Sequence, residues 1–128
     1  MSQVRIYGHR EALGASREAI SDAVHASLMD ALGLPESKRF QRFFLMEAED
    51  FIHPPDRSER YTIIEISMFA GRSAEAKGRL IAQLFERLAG IGIAPQDIEI
   101  TIFESPASDW GIRGRRGDEL ALDYDLSV

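Results

Sequence analysis

The sequence predicts an α+β domain built as a tandem β-α-β repeat: a four-stranded sheet with two helices on one face, plus a C-terminal strand or hairpin. Two observations carry that prediction. A β-rich run, an amphipathic helix and a second β-rich run occupy about 3–46, and the same string returns over about 61–104. The two helices also align at a constant offset, with Ser16, Val24, Leu28 and Ala31 answering to Ser73, Ile81, Phe85 and Leu88. The repeat starts at the first residues, so the N-terminus is expected inside a sheet.

Val4 and Ile6 alternate with polar neighbours, as in a half-buried strand. Gly8 to Ala15 reads as a loop, and Ser16 as the cap of the first helix. Ile20, Val24, Leu28, Ala31 and Leu32 form that helix's apolar stripe, with His25 off it. Gly33 and Pro35 stop it. Arg39 to Met46, rich in Phe, reads as the second strand. Glu47 to Arg60, acidic and then Pro-containing, is a connection between the halves.

Tyr61 to Phe69 is the clearest strand, dense in β-branched residues. Ser73 caps the second helix, whose stripe is Leu80, Ile81, Leu84, Phe85, Leu88 and Ile91. Ile98, Ile100 and Ile102 mark the fourth strand. In the tail, residues 105–128, Gly111 to Gly117 reads as a hairpin turn or a lid over an anion. Leu120, Leu122, Tyr124 and Leu126 then alternate as a terminal strand.

Right-handed crossovers put both helices on one face. The other face, with its Ile and Phe residues, is left for a partner subunit. The same element string also suits a ferredoxin-like domain, and periodicity leaves that alternative open.

A chain of 128 residues suits one domain over 1–128. It has no apolar run long enough to span a bilayer and no signal-peptide pattern, so a cytoplasmic location is expected. Zero cysteines exclude thiolate chemistry. A net charge of −6 argues against nucleic acid as a partner while allowing a local cationic pocket. His9, His25 and His53 show no metal-ligand spacing, and no metal or other cofactor is expected. Arg72, before the second helix, and Lys38–Arg39, before the second strand, stand at strand ends, where open α/β sheets place ligands. Glu104 and Asp109 are available to balance them.

In these features the chain resembles the tautomerase superfamily, in the branch around malonate semialdehyde decarboxylase. The resemblance runs through Ser21-Asp22-Ala23-Val24-His25, Gly33 to Gln41, Ala70-Gly71-Arg72-Ser73, Ala94 to Ile98 and Asp109-Trp110. It implies a homotrimer that binds small keto- or enol-acids near the N-terminus. The superfamily's catalytic residue is a proline exposed by removal of the initiator methionine, and here that position is Ser2. Lys38 stands where the decarboxylase branch has a water-activating aspartate, so water-activated decarboxylation or dehalogenation is not expected.

The resemblance therefore implies Ser2 and Lys38 as catalytic residues, with Arg72, Arg39 and Trp110 binding substrate. A Ser2 α-amine, starting near a pKa of about 7.7–8.0, is a weaker substitute for the proline. Lys38 serves as an anion clamp or as an amine nucleophile. Two functions follow: a keto–enol isomerase of small 2-oxo acids, or a catalytically inactive small-anion-binding or interaction protein that retains the fold.

Overall fold

The computed structural model describes residues 2–120. Strand β1, Ser2–His9, runs into a short helix α1, Arg10–Leu13, and through a 3-10 turn into α2, Arg17–Leu32. Strand β2 is Gln41–Met46, β3 is Thr62–Phe69, helix α3 is Ala74–Ala89 and β4 is Ile98–Ser105. A hairpin of β5, Gly111–Ile112, and β6, Arg115–Arg116, follows.

The strands form a four-stranded sheet in the order β2-β1-β3-β4. β1 pairs in parallel with β2, Val4 opposite Gln41. β3 pairs in parallel with β4, Thr62 opposite Ile98. The halves join where β1 meets β3 antiparallel, Ser2 opposite Met68 and Ile6 opposite Ile64. Within each β-α-β unit the two strands are direct neighbours. That excludes the ferredoxin-like arrangement, in which a strand of the other unit comes between them.

The core lies between the sheet and its helices. Val4 and Ile6 from β1 and Ile64 and Ile66 from β3 pack with Ile20, Val24 and Leu28 of α2 and Leu80, Leu84 and Leu88 of α3. Both helices therefore cover the same face, as the crossover rule requires. Ile100 and Ile102 also pack against this core. The open face carries Ile63, Phe44 and Phe103, as the sequence leads one to expect, around a polar network. Arg5 donates from Nε to Glu65 at 3.2 Å and from Nη2 to Ser67 Oγ at 3.0 Å, and the Tyr7 hydroxyl donates to Glu65 at 2.9 Å. Exposed Phe44 and Phe103 flank this polar network. Strand alternation, with the helix side taken by Ile, leaves the open side to these residues.

Three expectations are corrected. Gly8–Ala15 is not a loop: β1 continues to His9 and the chain turns helical at once. Leu13 folds back so closely that a Cβ on Gly8 would stand 2.2 Å from its Cδ1. Ser16 makes no side-chain cap bond, because the 3-10 turn Gly14–Ser16 feeds straight into α2. His25 is buried, 1% exposed, because its ring reaches past the apolar stripe to a loop carbonyl. Other signals act as read: Gly33 ends α2 at φ 69°, and Ser73 caps α3 by accepting from the Ala76 N–H. Arg113 at φ 51° and Gly114 at φ 83° make the two-residue hairpin turn. The expected terminal strand lies, beyond Leu120, outside the described residues.

Candidate functional site

One end of the sheet gathers the start of β1, the approach to β2 and the ends of β3 and β4. Ser2 begins β1 there and is only 4% exposed. Its ladder partner is Met68, next to Phe69. The Val4 N–H donates to the Phe40 carbonyl at 2.9 Å, which docks the segment before β2 against β1. In that parallel register Lys38 and Arg39 arrive beside the first residues of β1.

Lys38 closes a turn, its N–H donating to the Pro35 carbonyl at 3.0 Å. Its side chain is half-buried and forms no ion pair among the described residues. Arg39 is turned aside, donating to Asp22 Oδ1 at 2.6 Å and Ser21 Oγ at 3.1 Å on α2. Arg72 is 7% exposed and donates from Nη1 to the Leu32 carbonyl at the end of α2, at 2.5 Å. It thus joins the start of α3 to the loop that carries Lys38. A cation at a helix C-terminus is also favoured by the helix dipole. Glu104 is used by Lys77, at 2.7 Å.

Trp110 closes this end of the sheet. Its ring meets Phe69 edge to face at 5.1 Å, and its Nε1 is buried without a hydrogen-bond partner among the described residues. Gly117 lets the hairpin settle on these rings: its N–H donates to the Trp110 carbonyl at 2.7 Å. A Cβ at that position would stand 2.4 Å from the Ala107 carbonyl oxygen. The sheet end thus carries a buried Ser2, an ammonium with no ion pair among the described residues and an aromatic pair.

A hollow of about 430 Å³ lies at the opposite end of β1 among His9, Glu11, Met46, Glu47 and Glu59. Its three carboxylates oppose an acidic ligand. Beside it, His9 and His53 meet Nε2 to Nε2 at 2.9 Å. Sequence spacing gave no hint of this contact, which the 47–60 connection makes by crossing back over the end of β1. Among the described residues no group of three His, Cys, Asp or Glu side chains is placed to hold a metal ion. Farther along the same end, Tyr61 donates to Glu99, which also receives Arg57. Burial, then the Glu99 hydrogen bond, pushes the Tyr61 hydroxyl up to about 12. The Tyr61 and Arg57 hydrogen bonds hold Glu99 below the usual carboxylate range.

Residues 38–113 match the family model described as tautomerase enzyme. The probable tautomerase YusQ of Bacillus subtilis (strain 168) is 22% identical over 105 residues, 77% of this chain and 83% of its own. The probable tautomerase RSp0893 of Ralstonia nicotianae (strain ATCC BAA-1114 / GMI1000) is 34% identical over 53 residues, 41% of this chain and 76% of its own. Among solved structures, FG41 malonate semialdehyde decarboxylase inhibited by 3-bromopropiolate superposes with a TM-score of 0.82 and 34% identity, over 94% of this chain and 98% of that one. A fused 4-OT asymmetric trimer superposes at 0.80 with 19% identity, over 91% of this chain and 96% of that one, a likeness of fold.

Proposed function

The chain belongs to the tautomerase family, and we propose that it is a keto–enol isomerase of small 2-oxo acids working at the Ser2 end of the sheet. The reading is supported by a buried Ser2 at the start of β1, by the docking of the segment before β2 against that strand, and by a Lys38 that forms no ion pair among the described residues. Where Met1 is removed, Ser2 carries the α-amine. An α-amine has a pKa of about 7.7–8.0, so a useful fraction is neutral near pH 7, and a neighbouring cation enlarges it.

Lys38 holds the substrate carboxylate, Arg72 adds its charge from behind and Arg39 forms the outer edge. Trp110 walls the apolar end. The neutral amine takes a proton from the carbon next to the carbonyl. The enolate that forms is held by the same cations, and the ammonium returns the proton to oxygen. The reverse order of transfers gives ketonisation. With Met1 retained, Ser2 no longer carries the α-amine. The assembly proposed is a homotrimer, with the open sheet face covered by neighbouring copies. Trimers are named among the fused 4-OT structures that share the fold.

The second reading, a small-anion-binding protein without turnover, is favoured by Lys38 itself, an ammonium that pairs with no carboxylate among the described residues. Phenylpyruvate ketonisation separates the two. After intact-mass confirmation of the processed end, wild type and Ser2→Ala, which both keep an α-amine, should turn over at similar rates. Ser2→Pro should be faster. No turnover in any of the three, with carboxylate binding intact, supports the second reading.

A further inference from the structure

His25 is 1% exposed in the middle of α2, yet its ring serves the loop beside the candidate site. Nε2 lies 2.9 Å from the Glu36 carbonyl oxygen. A carbonyl only accepts, so Nε2 carries the proton. The other ring nitrogen, Nδ1, is buried with no hydrogen-bond partner among the described residues. An orphaned buried polar atom costs stability. A leucine would fill this place in the helix without that cost. What the imidazole adds is one N–H aimed at one carbonyl.

That carbonyl sits at the turn's pivot. The Lys38 N–H donates to the Pro35 carbonyl, closing a turn over residues 35–38. Two turn types share this hydrogen bond and differ by a flip of the central peptide, whose oxygen here belongs to Glu36. The flipped type needs a positive φ at Ser37. Among the described residues Arg113 is the sole non-glycine with a positive φ. The turn therefore holds the unflipped peptide, with its oxygen on His25, and Lys38 is the turn's last residue.

We propose that His25 is a positioning residue of the candidate site: its Nε2–H locks the central peptide of the Pro35–Lys38 turn and so fixes where the Lys38 ammonium stands beside the start of β1. The importance of that ammonium rests on the proposed function, whereas the lock itself does not.

The chain has two lysines, Lys38 and Lys77, and Lys77 is held by Glu104, so it serves as an internal reference. Amine acylation read by mass spectrometry gives the Lys38-to-Lys77 labelling ratio, with circular dichroism checking the fold. His25→Leu should change this ratio by about threefold or more as the turn is released. It should also weaken phenylpyruvate binding about tenfold. His25→Gln, which keeps an N–H donor, should bring both back to within about twofold of wild type. An unchanged ratio in folded His25→Leu overturns the proposal, as does a Gln variant that behaves like Leu.

If His25→Leu does not fold, Ser37→Gly decides the matter. Glycine removes the φ penalty of the flipped turn, yet with His25 holding the peptide the ratio should stay within about twofold. A larger change means that the imidazole does not lock the turn. A wild type that binds no carboxylate, with the ratio still responding to His25, overturns the proposed function and supports the lock.

Discussion

Ser2 stands opposite Met68 in the antiparallel β1–β3 ladder. This pairing fixes the location of the candidate site. It holds the chain's first described residue at the end of β3, so that Phe69, Trp110 and the hairpin lie on one side and the Lys38 turn on the other.

Gly117→Ala should lift the hairpin off the Phe69–Trp110 pair. The new Cβ would meet the Ala107 carbonyl oxygen at 2.4 Å and the Trp110 Cβ at 3.0 Å, and a backbone atom cannot yield as a side-chain end does. The expected loss is about 1–3 kcal/mol in chemical denaturation. Trp110 is the sole tryptophan, so its emission should shift to the red in the folded variant. A variant with wild-type stability and emission would show that the hairpin is not seated as described.

Gly8→Ala tests the sharp entry from β1 into α1. Its Cβ would stand 2.2 Å from Leu13 Cδ1 and 3.5 Å from the Tyr61 carbonyl oxygen. Leu13 is fully buried and has little room to retreat. We expect a loss of about 1–3 kcal/mol in urea unfolding. Gly8→Ala,Leu13→Ala should recover part of the loss that the two single changes produce when added, because the clash disappears.

The Tyr61–Glu99 pair should shape stability at both pH extremes. Tyr61 has its pKa raised from 10.0 to about 12 on folding, by burial first and by Glu99 second. Folding thus favours the protonated phenol. That contribution is complete below pH 10 and is lost as the pH rises through about 12. Glu99 is shifted the other way. Its contribution is present above the ordinary carboxylate value of 4.5 and fades as the pH falls through its lowered folded value. Tyrosinate absorbance should show Tyr61 titrating at lower pH in Glu99→Gln, and the alkaline loss of stability should shrink in Tyr61→Phe, with the Tyr7 share left. An unchanged tyrosinate curve in Glu99→Gln would contradict the coupling.

Assembly should depend on the open sheet face. Phe44 stacks on Tyr7 at a centroid distance of 5.0 Å and is 40% exposed, and Phe103 is 46% exposed. Exposed aromatics around a satisfied polar network suit an interface rather than free solvent. Light scattering should report a trimer for the wild type. Phe44→Asp,Phe103→Asp should shift the protein toward monomer at micromolar concentration. A wild-type monomer under those conditions would refute the proposed assembly.

The duplicated strand–helix–strand string was legible because its signals are local and redundant. Gly33 at a left-handed helix end, Ser73 as a cap and the Ile-rich β3 each point the same way. What could not be read from the chain is contact between distant segments. His9 and His53 come together because the 47–60 connection crosses back, and spacing in sequence carries no trace of that. His25 reads as lying off the apolar stripe, because helical periodicity places a Cα but cannot know that a loop carbonyl waits for the ring. For the candidate site, residue types at strand ends named Lys38 and Arg72. They could not tell that Arg72 donates to the Leu32 carbonyl while Lys38 has no ion pair among the described residues. That difference depends on where α2 ends relative to α3, a tertiary fact.

The central claim is that the Ser2 end, through Lys38, takes the substrate carboxylate. Calorimetric titration with phenylpyruvate tests it most directly, using wild type, Lys38→Ala and Glu47→Gln,Glu59→Gln in the opposite hollow. We predict saturable binding to the wild type, binding weakened about tenfold or more in Lys38→Ala, and no change in the double glutamine variant. Equal affinity of wild type and Lys38→Ala would contradict the account.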